Sequence, residues 1–347
     1  MKVAFVSQPW AGVLPASESV SIWNEEVARL LAGDMEVAVY ATATTLPVGR
    51  HTHSGVEYRI VSATPDWRML KLLERLPKRH PRRPLFAWRS YFPTYAWRVG
   101  ADLRRQGCDV VHVHNFSQFV PILRRLLPQA TIVLHMHCEW LSTLSPRMVE
   151  PRLRQADLVI GCSEHITEGV RRRFPAHAAR CRTVPEGVDV DAFSPDPHRP
   201  AQEPPRLLSV GRISPEKGFH VLLEAVARLR KRGVQAELEC VGPDSPVPHE
   251  MLVGLYDDPG VQGLARFYDR PYLETAFAAA GPEVRSGVTL RGALPYAEVA
   301  DCYRSADVFV QPSIADAFPL PCVEVMAAGL PVVASATGGI VEAVRDG

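Results

Sequence analysis

The chain has 347 residues, 46% of them hydrophobic and 22% charged, with a formal net charge of +1. That length predicts two domains of ordinary globular composition, and near-neutrality offers no electrostatic footprint for nucleic acid. Seven cysteines, odd in number and without a C-x-x-C pair, fit a reducing compartment and argue against a disulfide framework or a zinc ribbon.

The chain opens directly on a strand-like run, KVAFVS, with no signal-like segment ahead of it. No apolar run is long enough to span a bilayer, so a cytoplasmic location is expected. Short apolar runs then alternate with helix-period segments, the pattern of a parallel α/β architecture. Strands are predicted at Val3–Val6, Val37–Tyr40, Tyr58–Val61, Val110–Val113, Thr131–His135 and Leu158–Cys162. Helices are predicted over Ser21–Leu31, Tyr95–Gln106 and Phe119–Leu126, and Ser163 reads as a helix N-cap after a strand.

Two features of this half invite ligands. Residues 67–83 interleave Arg68, Lys71, Arg75, Lys78, Arg79, Arg82 and Arg83 with Trp67 and several leucines. This reads either as a basic amphipathic segment on an anionic membrane surface or as a solvated helix packing its Leu face on the core. The second reading is favoured. Two H-x-H pairs, His112/His114 and His135/His137, each share one strand face and could ligate a metal. Neither pair has a further ligand cluster in sequence, so no metal is expected.

Residues 195–205 are proline-rich, polar and aperiodic, and read as a linker between domains at 1–194 and 206–347. The second βα series runs through Leu207–Val210, a helix at His220–Arg232, then Ala236–Val241, Thr289–Leu290, Val308–Val310 and Val332–Ala334. Residues 243–287 have little strand character. A structureless loop of that length is improbable in a compact domain, so a helical insertion is expected, with a helix near Tyr272–Ala280.

The chemistry concentrates in two stretches. GRISPEKG, Gly211–Gly218, follows a strand and precedes a helix. It sets the Arg212 guanidinium and the Lys217 ammonium around a helix N-terminus, a phosphate-binding arrangement. Further on, DAFPLPCVEVMAAGLPVVAS, Asp316–Ser335, places Asp316 and Glu324 either side of a turn with seven residues between them. One acid can reach a sugar, turn amides can face phosphate, and the other acid can accept from ribose hydroxyls.

These motifs resemble the G-R-x-x-x-x-K-G clamp and the E-x7-E region of the retaining family 4 glycosyltransferases of GT-B fold. Asp316 stands where the family usually has Glu, and Pro319 where Gly is common. The resemblance implies two Rossmann-like parallel-sheet domains facing across a cleft, the first binding acceptor and the second binding nucleotide sugar. It implies a metal-independent, retaining hexosyl transfer with no cofactor. The donor would be a nucleotide sugar, most commonly UDP-linked, and the acceptor a hydroxyl of a glycan, glycolipid or small molecule. Arg212, Lys217, Asp316 and His137 take the catalytic positions. Gly12, Gly292, Leu294, Phe318, Leu320 and Glu324 take binding positions, and Gly338-Gly339 matches the family's G-G-x-x-E turn. A GT-B sugar-nucleotide epimerase, a phosphorylase, or a non-catalytic sugar-nucleotide binder are the alternatives. The chain ends at Arg345-Asp346-Gly347, ahead of the strand and helices with which such proteins usually continue.

Overall fold

The computed structural model describes residues 1–16, 18–74, 81–196 and 203–346. The chain divides into two compact units, Met1–Pro185 and Glu186–Gly347. The division falls ahead of the expected boundary at residue 194, because Val188 and Phe193 pack into the core of the second unit. Most of the expected linker, together with Arg75, Lys78 and Arg79 of the basic stretch, lies outside the described residues.

The first unit is built on eight strands: β1 (Lys2–Val6), β2 (Glu36–Thr42), β3 (Gly49–His53), β4 (Val56–Val61), β5 (Val110–His114), β6 (Thr131–Met136), β7 (Leu158–Gly161) and β8 (Cys181–Thr183). Their order is β3-β4-β2-β1-β5-β6-β7-β8. All pairings are parallel except β3 with β4. Sequence reasoning missed β3 and β8. β3, GRHTH, is polar and mostly exposed at the sheet edge, so it has no apolar alternation to read. β8 has only three residues.

Local signals explain the helix starts. The Ser163 hydroxyl accepts from the Ile166 amide at 3.3 Å and caps the helix Glu164–Arg173. The helix Pro93–Gln106 is capped from outside: buried Asp66, on the helix Thr64–Leu73, accepts from the amides of Thr94 and Tyr95 at 2.9 and 3.0 Å. On that same helix Leu70 is buried while Arg68 and Lys71 are exposed, an ordinary surface helix with a buried stripe.

The second unit has five parallel strands: β9 (Arg206–Val210), β10 (Glu237–Val241), β11 (Val288–Gly292), β12 (Val308–Gln311) and β13 (Val332–Ala334), in the order β11-β10-β9-β12-β13. Residues 243–287 carry short helical turns and the helix Tyr272–Ala280. Leu252, Val261, Phe267 and Ala276 of this stretch pack with Leu222, Leu223 and Val226 of the helix Phe219–Lys231, covering one face of the sheet. A second core, built on Phe309, Tyr303, Cys322 and Val325, covers the other. No helix among the described residues is long and apolar enough to cross a membrane.

Candidate functional site

The chain leaves β9 in one direction to form β10 and β11, then returns to its other side to form β12 and β13. The carboxyl ends of β9 and β12 are therefore the topological switch point, where open α/β sheets bind ligands. Both candidate motifs emerge there. Arg212 and Lys217 lie in the turn after β9, and Asp316 lies in the loop after β12.

The clamp turn is fixed to the β12 loop by backbone. The Glu216 carbonyl accepts from the amides of Ile314 and Ala315 at 2.7 and 3.3 Å. Gly218 sits at φ +73, and a Cβ there would lie 1.9 Å from the Pro312 carbonyl oxygen, so only glycine fits. This close approach brings Lys217 Nζ within 2.8 Å of Asp316 Oδ2. The same oxygen accepts from Gln311 Nε2 at 2.8 Å and from the Ser313 hydroxyl at 3.1 Å. Arg212 is about half exposed at 47% of its side chain and donates to Glu216 Oε1 at 3.2 Å. Glu216 also accepts from the Ser214 hydroxyl through Oε2. Both cations are thus oriented by buried acids before any ligand arrives.

The turn after Asp316 offers two amides. Among the described residues no hydrogen bond takes the N–H of Ala317 or of Phe318, whereas the Leu320 amide donates to the Phe318 carbonyl at 3.1 Å. Leu320 is buried and begins the helix Leu320–Ala327, so its amide and side chain are committed to the fold. Behind the turn, the Gly339 amide donates to the Asp316 carbonyl at 2.9 Å. Gly338, at φ +50, would place a Cβ 2.0 Å from that carbonyl. The Gly-Gly pair is therefore a support for Asp316.

Glu324 differs from the acid expected to wait for ribose. It is 2% exposed. Its Oε1 accepts from Tyr296 at 2.7 Å and its Oε2 from Tyr303 at 2.6 Å, both on the helix Tyr296–Ser305. Burial raises its pKa, and the two tyrosine hydrogen bonds oppose that rise without cancelling it. Each oxygen keeps a further lone pair. Gly292 ends β11 at φ +70, and Leu294 packs partly buried against the same core as Tyr296.

In the first unit the switch point lies between β1 and β5. The loop after β1 carries Gly12 and is pinned by the Thr42 hydroxyl to the Pro9 carbonyl at 2.6 Å and by the Thr44 hydroxyl to the Ala11 carbonyl at 3.3 Å. Trp10 of this loop meets Phe116 edge-on at 4.9 Å between ring centres. Asn115, just past β5, accepts from the His137 amide through Oδ1 at 2.7 Å and so fixes the backbone at the end of β6.

Register joins the two H-x-H pairs. His114 pairs with His135 across β5 and β6, and residues two apart share a face. All four imidazoles therefore gather on one side of the sheet beneath Trp23, whose ring centre lies 5.0–5.9 Å from each of theirs. His114 Nδ1 lies 3.0 Å from His137 Nε2. Burial depresses the pKa of His112 to about 3, and drives those of His114 and His135 well below the usual imidazole range. The separate pairs read from sequence are one cluster.

The structure thus brings together Arg212, Lys217, Asp316 and Phe318, with Glu324 one helix turn further on. Gly12 and His137 belong to the first unit. Sequence reasoning missed Glu216, Gln311, Ser313, Tyr296, Tyr303 and Asn115. The polar residues had no signal beyond their place after a strand, and tyrosines seven apart on a helix read as core.

Comparison with known proteins follows the same division. Residues 191–347 match the glycosyl transferases group 1 and residues 28–192 match glycosyltransferase family 4. A D-inositol 3-phosphate glycosyltransferase of Catenulispora acidiphila is 33% identical over 199 residues, which cover 55% of this chain and 43% of that relative. Spore coat protein SA of Bacillus subtilis is 27% identical over 346 residues, covering 95% of this chain and 79% of the relative. Among solved structures, sucrose-phosphate synthase from Thermosynechococcus elongatus superposes with a TM-score of 0.72 at 22% identity, covering 98% of this chain and 82% of that one. The HepE protein of Anabaena, in complex with UDP and glucose, does so with a TM-score of 0.67 at 16% identity, covering 100% and 84%.

Proposed function

The chain belongs to the family 4 glycosyltransferases, with two Rossmann-like units of the GT-B type, and we propose that it moves a hexosyl group from a nucleotide sugar, a UDP-hexose, to an acceptor hydroxyl with retention. The observation that carries this reading is the Lys217–Asp316 pair at 2.8 Å, with Arg212 beside it, at the switch point of the second sheet. As the bond between the anomeric carbon and the diphosphate oxygen breaks, negative charge grows on the leaving group. Lys217 and Arg212 are placed to stabilise that charge, more in the transition state than in the ground state. The amides of Ala317 and Phe318 add two donors for the distal phosphate or the sugar. The departing oxygen takes the acceptor's proton as the new glycosidic bond forms on the same face, so no protein nucleophile is used. Asp316 orients the sugar, Glu324 accepts from ribose through its remaining lone pairs, and His137 hydrogen-bonds the sugar. The acceptor is a glycan, glycolipid or small molecule, and the setting is cytoplasmic. The cationic side chains take the place of a catalytic metal.

The test is UDP release from UDP-hexoses, measured with and without a pool of acceptor alcohols. Release that requires an acceptor supports the transferase. Acceptor-independent conversion of the sugar would identify an epimerase instead, and tight donor binding with no turnover would identify a non-catalytic binder.

A further inference from the structure

The histidine cluster of the first unit is not used by this chemistry beyond His137, and its nitrogens are unusually placed. Among the described residues, Nε2 of His112, Nε2 of His114 and both ring nitrogens of His135 are buried without a hydrogen-bond partner. A core that uses histidine only for packing normally gives its polar atoms partners, because an orphaned buried donor or acceptor carries an uncompensated desolvation penalty. Here four such atoms sit on three neighbouring side chains. One donor atom from each of His112, His114 and His135 lies within 4.8 Å of the others.

We propose that His112, His114 and His135 form a buried site for a zinc-class divalent ion, with His137 as the outer partner that orients His114. The donor set is three imidazole nitrogens with no carboxylate, which selects borderline ions such as Zn²⁺ over Mg²⁺ or Ca²⁺. The His114–His137 contact has the form of a metal site's supporting hydrogen bond. With its proton on Nδ1, His114 donates to His137 Nε2 at 3.0 Å and leaves the Nε2 lone pair for the ion. Zinc–nitrogen bonds of about 2.1 Å in a tetrahedral shell set two donors about 3.4 Å apart. Donors within 4.8 Å of one another must therefore draw in by up to about 1.4 Å, which rotation of the three rings about their side-chain torsions has to supply. A solvent oxygen completes a tetrahedral shell. The three ligands all lie within the first unit.

The experiment uses the full chain, unfolded with chelator, refolded with or without Zn²⁺ and freed of loose metal by gel filtration. One zinc per chain is expected, and at least about a tenfold drop in affinity for His112→Phe or His135→Leu, which remove a ligand while filling its space. UDP binding should be unchanged in both variants. Refolding with Co²⁺ should give the visible absorption of a tetrahedral nitrogen site and quench Trp23, which is 5.0 Å from His135. Refolded protein without bound zinc, or full zinc retention in both variants, overturns the site. Should the variants fail to fold, the Co²⁺ spectrum of the unaltered chain decides: absence of the tetrahedral band overturns the proposal.

Discussion

Lys217 and His114 are both nitrogen bases near the carboxyl ends of parallel strands, yet their surroundings are opposite. Lys217 meets Asp316 at 2.8 Å, and that acid is held in turn by Gln311 and Ser313. The histidines of β5 and β6 hold several buried nitrogens that have no hydrogen-bond partner among the described residues. In the second unit an incoming anion must compete with protein partners already in place, so the site is oriented in advance at some cost in affinity. In the first unit the missing partners themselves are the signal. The contrast teaches that polar satisfaction, and not polarity alone, separates a site assembled in advance from one awaiting its ligand.

The largest test of this contrast is Lys217→Ala. It removes a donor to the leaving group and leaves Asp316 buried without its cation. Turnover of UDP-hexose should fall by about 2.7–4 kcal/mol in activation free energy, read from steady-state kcat. Unchanged kcat would break the assignment of the clamp.

Gly218→Ala should come next. The added Cβ collides with the Pro312 carbonyl and the backbone is left-handed. Thermal or urea unfolding should show a loss of about 1–3 kcal/mol, with turnover falling in parallel because the clamp and the β12 loop separate. A stable variant with normal turnover would mean that the contact does not position the site.

A third test sharpens the pairing of Lys217 with Asp316. If they act as one unit, Asp316→Asn and Lys217→Ala will not add. The double variant should lose about 0.5–3 kcal/mol less transition-state stabilisation than the sum of the single losses. Strict additivity would assign Asp316 to the sugar alone, the division of labour read from sequence.

The smallest effect on stability is expected at Glu324. Burial raises its folded pKa. Its protonated form therefore favours the folded unit, and that contribution is complete below the unfolded carboxylate range and lost as pH rises through the raised value. Glu324→Gln stays neutral, so at pH 7 it should match or exceed the parent in stability, by about 1 kcal/mol or less. Its advantage should vanish as the pH drops toward 4.5, the ordinary value for this group. Affinity for UDP, measured by calorimetry, should nevertheless fall. A marked loss of stability at pH 7 would make Glu324 a structural acid.

Much of this was legible in the sequence, for identifiable reasons. GRISPEKG and the Asp316–Glu324 spacing are local, and their placement between a strand and a helix survives without tertiary knowledge. The parallel strands were readable because both faces are covered, leaving continuous apolar runs. What escaped depends on register or on partners distant in sequence. The edge strand β3 is held by pairing and not by burial. Tyr296 and Tyr303 turn to an acid on another helix. The two H-x-H pairs became one cluster only through the alignment of His114 with His135. Glu324 was read as an acceptor for ribose hydroxyls without its two tyrosine donors, because its seven-residue spacing from Asp316 does not reveal what packs over a helix.

The Lys217–Asp316 contact joins residues 99 positions apart. No short fragment of the second unit can hold both, and the pair forms only after β9 and β12 have found each other across the intervening β10, β11 and helical segment. Such a contact belongs late in folding, since the entropy of closing so long a loop precedes any reward from it. A ligand that needs both residues recognises only the completed unit. At a hundredfold excess over its Kd it would stabilise that unit by about 2.7 kcal/mol, and resistance to proteolysis in its presence would report the integrity of the entire second sheet.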